Sequence, residues 1–207
     1  METKEDKFFH PSVTADIVTV RYNADIGKYE LLLVKRSESA SAYPGAWALP
    51  GGFMDRSDEC IADAAARELR EETGVASPQF KFVGTFTQKG RDPRGPVHST
   101  AFLAHVGPAE TVKAGDDASA AEWFRLTFDP WENDAGERIP GRVMIAIERP
   151  ADRVHIVLWC ERRRDKYGLT RYSVSADGLR EWDKLAFDHA EIIATALLAD
   201  GTFTKWA

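Results

Sequence analysis

Apolar and polar positions alternate in blocks that predict mostly strands. Val13 to Tyr22 is rich in β-branched residues, and Glu30 to Arg36 is an apolar run closed by charge. Both predict strands, with a turn over Asn23 to Lys28, where Asp and Gly favour a reversal. Ser37 to Trp47 contains Pro44 and Gly45 and predicts a loop ending in a core anchor, Trp47. Gln79 to Thr87, His98 to Val106 and Ala121 to Leu126 predict further strands, the first two separated by a long polar connection from Gln88 to Pro96. Near the end, Ile192, Ile193, Ala196 and Leu197 recur at helical spacing and predict a helix over Asp188 to Leu198. Many strands with few helices indicate an α+β fold built on a mixed sheet.

Residues 128–184 exceed what an ordinary connection needs. Arg142 to Glu148, Val154 to Arg162 and Leu169 to Ser175 predict a β-rich insertion before the C-terminal helix, with turns at Pro150 and over Asp165 to Gly168. Two or three strands cannot bury both faces alone. The insertion is therefore expected to pack on the core, on a second subunit, or on both; a lid over the chain's own site is the alternative.

The second helix predicted carries the chemistry. From Ala62 to Thr73 the chain is helix-forming, and Gly74 supplies the left-handed residue that ends a helix. At about 100° per residue, Glu68, Glu71 and Glu72 share one arc, while Ala62, Ala65, Ala66 and Leu69 form an adjacent stripe to bury. Carboxylates this close repel one another unless a positive charge sits between them. Oxygen-only donors favour hard divalent cations, and Mg²⁺ characteristically binds through a few carboxylates together with substrate phosphates. A solvated acidic face is the plain structural alternative.

Gly52, Glu59, Arg67-Glu68-Leu69, Glu71-Glu72 and Gly74-Val75 together resemble the Nudix box, the mark of hydrolases of nucleoside diphosphates linked to another moiety. The spacing departs at the front, where six residues separate Gly52 from Glu59 and the pattern has five. Either the loop carries an extra residue or Asp58 takes the first acid's place. The resemblance implies a Nudix fold, a mixed sheet between helices, with Mg²⁺ (or Mn²⁺) held by Glu68, Glu72 and a carbonyl near Gly51 or Gly52. Glu71 would hold a second ion or accept the water's proton, Glu59 would be a further ligand, and Arg67 would brace the glutamates. A later carboxylate, Asp117 in preference to Asp116 and both in preference to Glu122, would assist catalysis.

Outside the box, Gly90 to Gly95, His10 to Thr14 and Leu185 to Glu191 resemble the ADP-ribose pyrophosphatase-like branch and related regulators of NAD metabolism. This implies ADP-ribose or a similar nucleotide sugar as substrate, with Arg36, Arg91 and Arg94 as candidate grips for phosphate or ribose. His189 is expected to be a hydrogen-bonding residue at a helix start. A sensor that binds such a ligand without cleaving it is the alternative function. The family also suggests a homodimer.

Composition narrows this further. The 207 residues suit one domain spanning 1–207. A formal net charge of −6, from 27 basic and 33 acidic residues, argues against nucleic-acid or anionic-membrane partners and for a small polar ligand. Cys60 and Cys160 show neither zinc nor disulfide spacing and read as reduced packing thiols. No apolar run reaches the length of a membrane span, and the first residues are charged, so a cytoplasmic location is expected.

Overall fold

The computed structural model describes residues 9–76, 79–115, 118–133, 135–151, 153–175, 185–200 and 202–203. In order, the elements are β1 (Ser12–Asn23), β2 (Lys28–Arg36), β3 (Trp47–Ala48), β4 (Gly51–Phe53), α1 (Ile61–Thr73), β5 (Phe80–Phe86) and β6 (Val97–His105). There follow β7 (Ala118–Glu132), β8 (Arg138–Arg149), β9 (Val154–Arg164), β10 (Thr170–Ser175) and α2 (His189–Ala199). One mixed sheet runs β10-β9-β8-β7-β2-β1-β6-β5, with β3 paired to β2 and β4 to β1. β1 and β6 are parallel. This is the expected α+β architecture.

Where the sheet divides is what makes a site. β1 and β2 pair from Val20↔Leu31 to Asn23↔Lys28 and then part. Beyond that point β2 takes β3 as its neighbour (Lys35↔Trp47), and β1 takes β4 (Asp16↔Gly51). The Leu49-Pro50 segment thus enters a fork in the sheet, and β4 lies directly against α1.

Period-two alternation assigns successive side chains to opposite layers. Ala15, Ile17, Leu32 and Phe102 pack with Ala64, Ala65 and Leu69 of α1. Val18, Val20, Leu31, Leu33 and Phe124 pack on the other face with Ile192, Ile193 and Leu197 of α2. Trp47 is the expected core anchor, its ring edge-on to Phe124 at 4.7 Å. The buried stripe of α1 is rotated from the expected one: Ala64 joins Ala65 and Leu69, whereas Ala62 and Ala66 are only half-buried. In an alanine-rich run side-chain size cannot tell adjacent faces apart.

The expected insertion starting at residue 128 has no break there, because β7 continues through Phe128 to Glu132. Strands β8 to β10 extend the main sheet instead of forming a separate piece. Their inner residues Ile145, Ile147, Ile156 and Leu158 share the core under α2. Cys60 and Cys160 are both free, but only Cys160 is packed; Cys60 is exposed at the N-cap of α1. Its backbone N–H donates to Asp63 Oδ2 at 3.0 Å, and Gly74 ends the helix at φ 76°.

Candidate active site

The two N–H groups of the Leu49–Gly51 segment are taken by side chains from different helices, since Pro50 has none to offer. Gly51 N–H donates to Glu72 Oε2 at 2.9 Å, and Leu49 N–H donates to His189 Nδ1 at 2.8 Å. The Pro50 carbonyl accepts from Ile17 N–H at 2.9 Å. Gly51 adopts φ 155°, and a Cβ there would collide with the Ala15 carbonyl oxygen, so the close register with β1 requires glycine. At Gly52 a Cβ would come within 2.5 Å of the Glu68 carboxylate.

Arg67 organises the other side. Its Nε and Nη2 donate to Asp58 Oδ1 and Oδ2 at 3.2 and 2.9 Å, and Nη2 also reaches the Phe53 carbonyl at 3.0 Å. Nη1 donates to Glu68 Oε1 at 2.6 Å and to Glu71 Oε2 at 3.3 Å. The fork geometry of guanidinium permits this five-way brace. Hydrogen bonds from Arg67 above all, then from the Asp55 backbone, hold Asp58 below the usual carboxylate range. Asp58 is therefore committed to the brace, and Glu59 next to it is exposed.

The three glutamates do not converge. Arg67 holds Glu68 and Glu71, the latter with its side chain 54% exposed, while the Gly51 N–H holds Glu72. Among the described residues no three His, Cys, Asp or Glu side chains gather as a ready metal site. Glu72 is nonetheless in an unusual state. Burial foremost, with the Glu68 and Asp16 charges, pushes its carboxyl up to about 8 against the opposing Gly51 hydrogen bond and Arg36. A hard divalent cation is what such a carboxylate lacks. The oxygen donors of Glu68, Glu72 and the glycine loop fit one, provided the glutamates leave their present partners.

Glu72 lines a cavity of about 440 Å³ together with Arg36 and Arg94. Both guanidinium groups lie over the Phe187 ring, at 5.1 and 5.0 Å, and Arg94 also lies over Phe53 at 4.8 Å. Arg36 Nε donates to the Ala42 carbonyl at 2.8 Å, and Arg94 is paired with Asp92 at 2.7 Å. Arg91 also borders the cavity, but its side chain is 4% exposed and its Nε and Nη2 donate to Asp188 at 2.8 and 2.6 Å. Its guanidinium ties the 88–96 connection to the start of α2.

Sequence reasoning missed Asp16 and Phe187. Asp16 is a buried carboxylate in a β-branched strand, and its partners Ser99, Arg91 and His189 are remote in sequence. Burial acts to raise it, and the hydrogen bonds from His189 and Ser99 together with the Arg91 charge act against that. Phe187 has a left-handed φ of 55°, which sequence does not reveal.

Asp116 and Asp117 lie outside the described residues. Gly115 just before them is described: its N–H donates to the Glu72 carbonyl at 3.0 Å, and a Cβ there would run into the Glu71 carbonyl oxygen. Gly115→Ala is expected to destabilise the fold by about 2–3 kcal/mol, as overpacking against main chain does, measured by urea unfolding.

A NUDIX domain profile matches residues 12–136. The chain belongs to the Nudix family. Its box is α1 with the Gly51-Gly52 loop, and the one-residue departure at the front falls in the loop over 54–59, where Asp58 serves Arg67. Among curated Nudix relatives, the chain is 38% identical over 123 residues to the ADP-ribose pyrophosphatase of Methanocaldococcus jannaschii, covering 59% of this chain and 67% of that protein. It is 32% identical to the ADPR responsive transcriptional repressor NtrR of Acinetobacter baylyi, over 56% of this chain and 45% of the repressor.

Among solved structures, a MutT/nudix family protein from Enterococcus faecalis superposes with a TM-score of 0.70 at 31% identity. That match covers 96% of this chain, a share that takes in β8 to β10, and 65% of the other. The NUDIX domain of Shewanella oneidensis NrtR, solved with ADP ribose, superposes with a TM-score of 0.52 at 27% identity, covering 59% and 77%. This Nudix chain thus spans less than half of the Acinetobacter repressor.

Proposed function

We propose that the chain is a divalent-metal-dependent hydrolase of the pyrophosphate bond in ADP-ribose or a similar nucleotide sugar. The observation that carries this reading is Glu72, a half-buried carboxylate of α1 that accepts from the Gly51 N–H and lines one cavity with Arg36 and Arg94. Glu68, Glu72 and the Gly51-Gly52 main chain would hold Mg²⁺ or Mn²⁺, with Glu59 the further ligand that the box pattern implies. Bound there, such an ion polarises phosphoryl oxygens and lowers the pKa of the attacking water. Arg36 and Arg94 neutralise the diphosphate and orient it, since guanidinium forks match phosphate oxygens. Arg67 keeps the glutamates registered with the loop. Glu71, the more exposed of the box glutamates, and Asp117 are the carboxylates left to take the water's proton.

Phosphatase-coupled phosphate release from ADP-ribose, with and without Mg²⁺, tests the reading. Metal-dependent release is expected, and tight ADP-ribose binding without release would establish the sensor function that the repressor relative suggests. Folding supplies a second check. A carboxylate whose folded value is raised contributes stability fully present below about 4.5, its unfolded value, and lost as pH rises through about 8. Added Mg²⁺ or Mn²⁺ is therefore expected to raise the thermal midpoint more at pH 8 than at pH 5. Equal shifts at both would remove Glu72 from the metal site.

A homodimer belongs to the same proposal. The outer face of β8 and β9 carries half-buried Met144 and Trp159, the latter tilted against Trp131 at 4.9 Å. Sedimentation velocity at micromolar concentration is expected to give twice the chain mass.

A further inference from the structure

Residues beyond 136 lie outside the NUDIX match, yet the first turn of α2 reaches the centre of the site. Ala186 N–H donates to the Trp47 carbonyl at 2.8 Å and so seats this turn beside β3. His189, 3% exposed, stands between two groups that fix the loop. Its Nδ1 accepts from Leu49 N–H at 2.8 Å, and its Nε2 lies 3.4 Å from Asp16 Oδ1. An Nδ1 that accepts a main-chain N–H carries no proton, which assigns the proton to Nε2, facing the Asp16 carboxylate. Asp16 is in turn held by Ser99 and Arg91, and it is the β1 residue registered opposite Gly51.

We propose that His189 is a positioning residue for the hydrolytic site, holding the Leu49–Gly51 segment at the height where it meets Glu72. The inference rests on the hydrolase reading above for its kinetic consequence, but not for its geometry. Only two N–H groups are available in this segment, and Glu72 holds one of them. A Glu72 carboxylate that turns toward a cation gives up that bond. His189 is then the side chain that keeps the loop in the fork between β1 and β2. Displacement of such a loop by about 1 Å is enough to cost about 10² in rate while leaving distant substrate contacts intact.

Two substitutions separate the two nitrogens. In His189→Asn the amide oxygen occupies the place of Nδ1, so the Leu49 bond is retained and the reach to Asp16 is lost. In His189→Gln the longer side chain reaches Asp16 and leaves the Leu49 N–H without its acceptor. The Gln variant is expected to lose about 10² in kcat with KM changed less than about threefold, and the Asn variant to recover most of that loss. The Gly51 amide, followed by hydrogen exchange without substrate or metal, is expected to lose about tenfold in protection in the Gln variant only.

Wild-type kcat together with wild-type Gly51 protection in His189→Gln would overturn the proposal. So would equal impairment of the Asn and Gln variants, which would leave His189 a packing residue. Should the wild-type protein cleave no nucleotide, the hydrolase reading fails, and the exchange measurement still decides what His189 holds. Should the Gln variant not fold, ¹⁵N spectra of the wild-type imidazole decide instead. An unprotonated Nδ1 coupled to the Leu49 amide is expected, and a protonated Nδ1 would sink the assignment.

Discussion

Glu72→Gln is expected to lower kcat for ADP-ribose hydrolysis by about 10² to 10³, the usual cost of removing one charged contact at a phosphoryl centre. The fold is expected to survive, because a Gln amide oxygen can still accept the Gly51 N–H. The thermal midpoint separates a functional loss from a structural one. Desolvation pushes Glu72 up to about 8, so at pH 8 the wild-type protein carries part of the burden of an ionised carboxylate, and the Gln variant carries none. Below about pH 4 the side chains are neutral in folded and unfolded states alike and the midpoints are expected to coincide; at pH 8 the variant is expected to be the more stable. Turnover near the wild-type rate would end the assignment of Glu72 to the reaction.

Arg67→Lys is expected to cost about 10² in kcat together with a lower thermal midpoint. A lysine ammonium keeps the charge but cannot span Asp58, the Phe53 carbonyl, Glu68 and Glu71 at once, as the guanidinium does. Asp58, with its side chain 5% exposed, loses its main partner, and Glu68 is released from its place behind Gly52. Asp58→Asn supplies the control. It is expected to lower the midpoint in the same direction while leaving Mn²⁺ affinity near that of the wild type, whereas a first-acid role for Asp58 in metal binding would weaken the ion. The comparison also bears on Glu59, the exposed acid next to it.

The positions within α1 were legible because helical geometry is local. Arg67, Glu68, Glu71 and Glu72 lie within six consecutive residues, and no partner from elsewhere is needed to place them near one another. Gly74 as the terminator and Trp47 as a core anchor were legible for similar reasons, one steric and one of size. The face of α1 that is buried was not, because Ala62, Ala64 and Ala66 differ too little to show which one meets the sheet.

By itself the sequence determined the alternating strands, the box helix and its oxygen-only donors, and the glycines on which close approach depends. The tertiary structure decided what those donors face. The parting of β1 from β2 opens the fork for Leu49-Pro50, and that requires pairings between strands whose register no local pattern states. It gave Glu72 a partner in the Gly51 N–H, while Glu68 and Glu71 went to Arg67, and it assigned Asp58 to Arg67. It also spent Arg91 on Asp188, 97 residues away, and brought His189 to Leu49, 140 residues away. The physical reason is common to all of these. Hydrogen-bond donors and charges confined in a dry interior must find partners wherever packing places them, and packing joins residues that are distant along the chain.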